Sequence, residues 1–492
     1  MITSTPRLVV SGLRGGSGKT ILSLSLIASL KKKGKTVIPF KKGPDYIDAG
    51  WLAQAAGLPC YNLDLFMMTP DQARRSFREH SRAEGVAVVE GNRGLYDGVD
   101  HEGTYSTAAL AKLLKAPVII IMDCTKSTNT VAAMLLGCQK MDPDVVIGGV
   151  VLNRVATARQ ESVIRKAIAR ACGIPVLGAI PRLKRDPFPE RHMGLTPFQE
   201  HEGIGESIET VAGIGENYLD LDAVMDVAGN AGTINQGPGG RSESTRSGGQ
   251  GSETDDEFQI TNSELTDDVQ RGTGSGVRIG IIRDSAFQFY YQENFEELEK
   301  RGATLVEASP LQAKELPDID ALYIGGGFPE THAISLAENR SFRYSLYSSI
   351  QRGLPVYAEC GGLMYLGKNM VLDNISYPMV GALPVTFGLE KRPRAHGYTI
   401  VEVTNANAYF PEKTVLRGHE FHYSHVLDID RDAVTMAFDV KRGKGIIENK
   451  DGMCHKNVLA TYTHLHALGS PEWVEGMISA AETYKIRKTD HE

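Results

Sequence analysis

Two stretches of this 492-residue chain hold residue types at spacings that could do chemistry. The first is SGLRGGSGKT, Ser11–Thr20, set between the apolar runs Leu8–Val10 and Ile21–Leu30. In a strand–turn–helix setting, glycines let backbone N–H groups turn inward around an anion, and the helix N-terminus adds partial positive charge. Gly12, Gly15, Gly16 and Gly18 would form that cradle. Lys19 would reach the β- and γ-phosphates of a nucleotide, and the Thr20 hydroxyl would face Mg²⁺. The second stretch is AECGGLMYL, residues 358–366. A short strand, Pro355–Tyr357, runs into a cysteine flanked by small residues and then a helical segment. That is the elbow that exposes a nucleophile. A helix N-terminus is expected to lower the Cys360 pKa. Peptide N–H groups of the Gly-rich strand end GGGFPE, residues 325–330, can serve as an oxyanion hole. A lone cysteine is ordinarily a small buried hydrophobe. The elbow glycines together with the late TYTHLH run, 461–466, favour a nucleophile–base pair instead.

Two further loops carry acids. The strand ending at Phe40 runs into KKGPDYID, residues 41–48, and the one ending at Val89 runs into EGNRGLYDG, residues 90–98. Glu90 stands at a strand end near the phosphate loop, the position of a Walker-B acid. Carboxylates there hold Mg²⁺ directly or through water, and lysines bind phosphate or a substrate carboxylate. Taken singly, each residue also reads as a solvated loop charge. A third strand, Val145–Leu152, ends in Asn153-Arg154. The amide suits either an adenine edge or a helix cap.

The elements that must position these residues follow from hydrophobic patterning. Short apolar runs at Thr36–Phe40, Val86–Val89, Val118–Met122, Val145–Leu152 and Val176–Ile180 alternate with helical stretches such as Thr128–Gln139 and Arg159–Cys172. Fully apolar strands between helices mean a parallel sheet covered on both faces. Ligands of such sheets bind at the carboxyl ends of the strands. The second half repeats the pattern with Val277–Ile282, a helix over Asn294–Arg301, Ala321–Ile324 and Pro355–Tyr357. Between the halves, 229–276 is rich in Gly, Ser, Thr, Asn, Asp and Glu with almost no large apolar residue. Such composition cannot offset its ordering entropy, so a disordered tether is expected. The division is 1–228, linker 229–276, and 277–492. With 41% hydrophobic and 23% charged residues the chain is ordinary for a globular protein, and a net charge of −7 gives no general attraction to nucleic acid. No apolar run approaches a membrane span, and the N-terminus has no secretory pattern. The six cysteines are scattered without a C-x-x-C pair, which suits reduced thiols in the cytoplasm rather than zinc or disulfides.

At this point the residues resemble a family. The Gly-x5-Gly-Lys-Thr spacing, FKKGPDYID, VEGNRGLYDG, VVLNRV and ERHMGLTP look like the synthetase domain of cobyrinic acid a,c-diamide synthases, itself similar to dethiobiotin synthetase. The second half, with RDSAFQFYY, GGGFPE, AECGGLMYL, RGHEFHYS and TYTHLH, resembles a class I glutamine amidotransferase of the cobyric-acid synthase type. The resemblance implies two doubly wound α/β domains, a P-loop NTPase-type sheet and then a flavodoxin-like glutaminase. It implies Mg²⁺, ATP, glutamine and a tetrapyrrole polycarboxylate as the small molecules used; a homodimer is left open. It assigns Cys360 as nucleophile, His464 as its base, and Gly326 and Gly361 as oxyanion donors. Thr20, Asp45 and Glu90 fall to the metal, and Lys41, Lys42, Asp48 and Asp97 to the acceptor or its acyl phosphate. Standard class I domains have Glu two residues after the histidine, where this chain has His466. A Cys–His pair lacking an orienting carboxylate is therefore expected. Trp51 replaces a histidine-bearing stretch and is expected to reshape the acceptor pocket. That substitution and the Lys41-Lys42 pair leave sirohaem and nickel-sirohydrochlorin open as acceptors. A partition-like regulatory ATPase would explain the P-loop, but Arg14 stands where those proteins carry a second lysine, and such a protein has no use for a glutaminase.

Overall fold

A computed structural model describes residues 5–183, 188, 190–191, 194–234 and 276–489. Of the expected tether 229–276, residues 235–275 lie outside the described residues, as do residues 192–193 of ERHMGLTP, whereas its first residues are ordered: Gly229 closes a helix and Ile234 is buried in the first unit's core.

The first unit is a seven-stranded sheet of β1 (Arg7–Gly12), β2 (Val37–Lys42), β3 (Tyr61–Leu63), β4 (Val86–Glu90), β5 (Val118–Asp123), β6 (Ile147–Val155) and β7 (Val176–Pro181). Their order is β3-β2-β4-β1-β5-β6-β7, and every neighbouring pair is parallel. The run of apolar residues in each strand is explained by burial on both faces. Leu8 and Val10 of β1 enter one apolar layer and Val9 the other; in β5, Ile119 and Ile121 oppose Val118, Ile120 and Met122 in the same way. Helix α1 (Lys19–Lys32) starts from Gly18, whose φ of 98° is left-handed and favours glycine. No side chain caps that end, and Lys31 and Lys32 lie in the last turn, where cations suit the helix dipole. Register then does the positioning. Val10 pairs with Glu90 and Lys41 with Glu90, so the ends of β1, β2 and β4 bring the phosphate loop and both acid loops together.

The second unit is a ten-stranded sheet ordered Thr304–Ala308, Arg278–Ile282, Ala321–Ile324, Val356–Glu359, Val458–Thr461, Lys450–His455, Thr435–Arg442, Ala395–Val403, Val415–His422, His464–Leu465. The first five are parallel and the rest antiparallel. A separate four-stranded sheet is built from Asn369–Leu372, Ile375–Pro378, Val385–Leu389 and Ser424–Ile429. The parallel half is the α/β part expected from sequence, again with two apolar layers. TYTHLH, expected as one β-type run, is split: Val458–Thr461 ends the parallel part and His464–Leu465 pairs with Val415–His422.

The two units touch through aromatic and polar side chains. Phe66 stacks on Tyr398 at 4.2 Å, and the Tyr398 hydroxyl donates to Asp64 at 2.6 Å. Tyr61 lies flat on His80, whose Nε2 is 2.9 Å from Glu296. Among the described residues no helix is long and apolar enough to cross a membrane.

Candidate functional site

At the carboxyl end of the first sheet, three acids surround one lysine. Lys41 Nζ is 2.7 Å from both Asp48 and Glu90 and 3.8 Å from Asp45. The Thr20 hydroxyl donates to Glu90 at 2.9 Å, with Asp48 at 3.4 Å. Glu90 and Lys41 are both buried, so each is the other's compensation. Desolvation opposes charge on Lys41, but Asp48, Glu90 and Asp45 outweigh it and hold its pKa well above the ordinary value. Burial and the neighbouring Asp48 push Asp45 up to about 7. Burial also raises Glu90, whereas for Asp48 the ammonium of Lys41 overcomes burial and lowers the pKa.

Two expected roles shift with this geometry. Asp48 sits beside Thr20 and Glu90 rather than further out, because helix α2 (Ile47–Ala56) begins within the loop and turns its first-turn acid back toward β4. Lys41 is only 2% exposed and is committed to the acids, so it is not free for an acceptor; Lys42 lines the cavity described below. Asp97 accepts from the Gly94 N–H at 2.8 Å and also lines that cavity. Lys19 Nζ spans the phosphate loop to the Arg14 carbonyl at 3.0 Å. Asn153 donates to the Ser17 carbonyl at 2.9 Å, and a Cβ at Gly18 would come within 2.5 Å of that amide, so Asn153 braces the loop from behind. Trp51 does not reach the acceptor side. It is fully buried, packed edge-on to Phe188 and donating to the Thr196 carbonyl at 2.8 Å.

Among the described residues no group of three or more His, Cys, Asp and Glu side chains is gathered closely enough to hold a metal by itself. A Mg²⁺ ion carried on a nucleotide needs fewer protein ligands, since phosphates and water complete its shell. The donor set fits that ion: all donors are hard oxygens, and Glu90 Oε2 is buried without a hydrogen-bond partner.

In the second unit Cys360 follows the buried strand Val356–Glu359 and precedes the helix Gly361–Leu366. Its φ of 48° and ψ of −97° are a strained conformation for a residue with a Cβ, as an elbow requires. The Cys360 N–H is tied to the Thr461 carbonyl at 2.8 Å, three residues before His464. The Cys360 thiol donates to the Phe421 carbonyl at 3.8 Å, and a Cβ on Gly361 would come within 3.0 Å of the Gly327 nitrogen. A Cβ on Gly326 would lie 2.7 Å from His464 Cε1. The Gly326–Gly327 strand end therefore lies against both the elbow and His464. The expected lowering of the thiol pKa is overturned. Burial, with Glu330 next in order, pushes the Cys360 thiol far up, and the Gly361 N–H only partly opposes this.

The expectation of a pair without an orienting carboxylate is also corrected. His464 Nδ1 lies 3.2 Å from Glu359, the residue immediately before the nucleophile. Glu359 is fully buried and accepts from the Leu465 N–H at 3.1 Å and the Tyr323 hydroxyl at 3.0 Å. His466 does not serve: its Nδ1 accepts from the Leu468 N–H, and its Nε2 faces Glu293 at 3.5 Å. An acid at the end of an otherwise apolar strand was the available signal, the same one that marks Glu90.

A cavity of about 860 Å³ joins the units. From the first unit it is lined by Lys42, Asp45, Tyr46, Asp48, Arg93 and Asp97; from the second by His396, Tyr398, His419, Arg442 and His464. A small adjoining pocket holds Cys360 and shares the walls Phe289, Phe421 and Tyr423.

Two family models match this chain, one within each unit. The model described as the CobQ/CobB/MinD/ParA nucleotide binding domain matches residues 8–195, and that described as the CobB/CobQ-like glutamine amidotransferase domain matches residues 278–472. The cobyrinate a,c-diamide synthase of Magnetococcus marinus is 39% identical over 95% of this chain and 95% of its own. The proteins of that name from Archaeoglobus fulgidus and Methanothermobacter thermautotrophicus are each 37% identical, over 94% and 95% of this chain and 94% and 97% of theirs.

Proposed function

The chain belongs to the cobyrinate a,c-diamide synthase family, and from that premise we propose that it amidates the a and c carboxylates of cobyrinic acid, using ATP and glutamine, in cobalamin biosynthesis. The observation that carries the reading is the single cavity bordered by both the Asp45–Asp48 loop and His464. It lets ammonia made on one side be consumed on the other, and Lys42, Arg93 and Arg442 at its walls suit a polycarboxylate.

On this reading the elbow thiol of Cys360 gives its proton to His464 and attacks the glutamine amide carbon. The C–N bond breaks, ammonia leaves with a proton from His464, and water hydrolyses the thioester to glutamate. Glu359 holds the imidazole with Nδ1 toward itself, which leaves Nε2 for the sulfur. Gly326 and Gly361 N–H groups receive the oxyanion. In the first unit the phosphate loop with Lys19 holds the triphosphate, and the γ-phosphoryl group passes to an acceptor carboxylate with loss of ADP. Ammonia then displaces phosphate and leaves the amide. Thr20, Glu90 and Asp48, with Asp45 alongside, would hold Mg²⁺, which supplies charge neutralisation for the transferring phosphoryl group. The use of ATP, a cytoplasmic location and the division into 1–228 and 277–492 are parts of the same proposal.

Mass spectrometry of cobyrinic acid, sirohaem and nickel-sirohydrochlorin incubated with the protein, Mg²⁺, ATP and glutamine tests the reading. Two carboxylate-to-amide conversions on cobyrinic acid are expected. Amidation of either other tetrapyrrole with cobyrinic acid left intact would overturn the acceptor assignment.

A further inference from the structure

One side chain of the first unit reaches into the glutaminase site. Tyr46 stands between Asp45 and Asp48, on the loop whose carboxylates contact Lys41 and Thr20. Its ring is not directed at those acids. It stacks on Phe289 at 5.2 Å with an interplanar angle of 6°, and it packs on Tyr291 at 4.7 Å, His419 at 5.6 Å and His464 at 5.5 Å. All four partners belong to the second unit. His464 is thus bounded by Glu359 at Nδ1, by the ring of His419 at 4.8 Å, and by Tyr46. The first two contacts lie within the glutaminase fold and do not depend on the other unit. The third is supplied by the loop that handles phosphoryl transfer.

We propose that Tyr46 is a positioning residue that makes glutamine cleavage at Cys360 depend on an occupied synthetase site. The physical link is short. Asp48 lies two residues from Tyr46, and its carboxylate contacts both Lys41 and the Thr20 hydroxyl. The Asp48 N–H donates to Asp45 at 2.9 Å, which makes residues 45–48 one compact turn. On the function proposed above, nucleotide and acceptor bind against the acids of that turn, and a shift of the turn is carried to the ring that abuts His464. Aromatic packing of this kind stabilises beyond what burial alone supplies. Several such pairs suffice for a coupling of the usual strength between two sites.

The inference rests on the function proposed above and predicts a quantity separate from it. Glutamate and amide are measured together, with and without ATP and tetrapyrrole. In the unsubstituted chain the two products are expected to form in equal amounts, and omitting ATP and acceptor is expected to suppress glutamate release. Tyr46→Ala is expected to release at least about fivefold more glutamate than amide and to cleave glutamine without ATP or acceptor. Tyr46→Phe keeps the ring and should restore the one-to-one ratio; Tyr46→Leu, which retains bulk, repeats the test should the alanine variant fold poorly. A ratio that stays at one while both products fall together would overturn the proposal, because a residue that merely contacts the acceptor or supports the fold behaves in that way. Failure of the unsubstituted chain to amidate any tetrapyrrole from ammonium salts would instead overturn the proposed function, and the ATP dependence of glutamine cleavage would still read Tyr46.

Discussion

Replacing Glu359 by glutamine preserves shape and removes one buried charge. At 3.2 Å from His464 Nδ1, a full unit charge on each group would interact by about 5 kcal/mol at an effective dielectric of about 20. The imidazole gains only part of a positive charge in the transition state. Half of the full value, about 2.5 kcal/mol, corresponds to a fall of roughly 70-fold in rate. The amide adds a second defect. Its NH₂ can donate to Nδ1, which puts the imidazole proton on Nε2 and removes the base from the cysteine. Glu359→Gln should therefore lower glutamine-dependent turnover by about 70-fold or more, while ammonium-dependent amidation stays within about twofold, since free ammonia bypasses the thioester. Steady-state rates with both nitrogen donors decide the matter, with circular dichroism as a check on folding. Glutamine-dependent turnover within about threefold of the parent would refute the orienting role, and equal loss with both donors would make Glu359 a structural residue only.

Other outcomes follow from the same geometry. Cys360→Ala should abolish amidation from glutamine and spare amidation from ammonium salts; equal loss with both donors counts against the nucleophile. Because burial holds the Cys360 proton, alkylation by iodoacetamide in the ligand-free protein should be slow at pH 7 and rise about tenfold per pH unit through pH 9. A plateau near pH 7 in that profile would mean an already ionised thiol. Glu90→Gln should cut ATP-dependent amidation about 100-fold or more with either nitrogen donor, read at varied Mg²⁺. Lys41→Met leaves Glu90 buried without its cation and should destabilise the fold by about 3–5 kcal/mol, seen as a lower denaturant midpoint.

Much of this is legible in the sequence. Apolar strands such as Val118–Met122 announced a sheet covered on both faces, and the phosphate loop announced its own strand and helix. The cysteine elbow did the same for the second unit. Other features were hidden for identifiable reasons. Most strands between 369 and 455 alternate polar and apolar residues, and apart from RGHEFHYS they carry no chemical motif to draw attention to them. Glu359 was overlooked because the sequence pattern of standard glutaminases places the acid after the histidine, whereas here it comes 105 positions earlier and reaches His464 only through strand pairing. Lys41 read as a free cation because sequence does not reveal that β2 and β4 pair Lys41 with Glu90. Tyr46 carried no signal at all, since its four ring partners lie in the other unit.

Each unit has its own pair of apolar layers, yet the cavity between them needs walls from both. Because one chain encodes both walls, every molecule carries one source and one consumer of ammonia, in a stoichiometry fixed at translation. Two separate polypeptides would have to meet, and the fraction of complete cavities would fall as the protein is diluted. In this chain it does not, so coupled amidation per molecule should be independent of protein concentration down to the limit at which the assay can follow it.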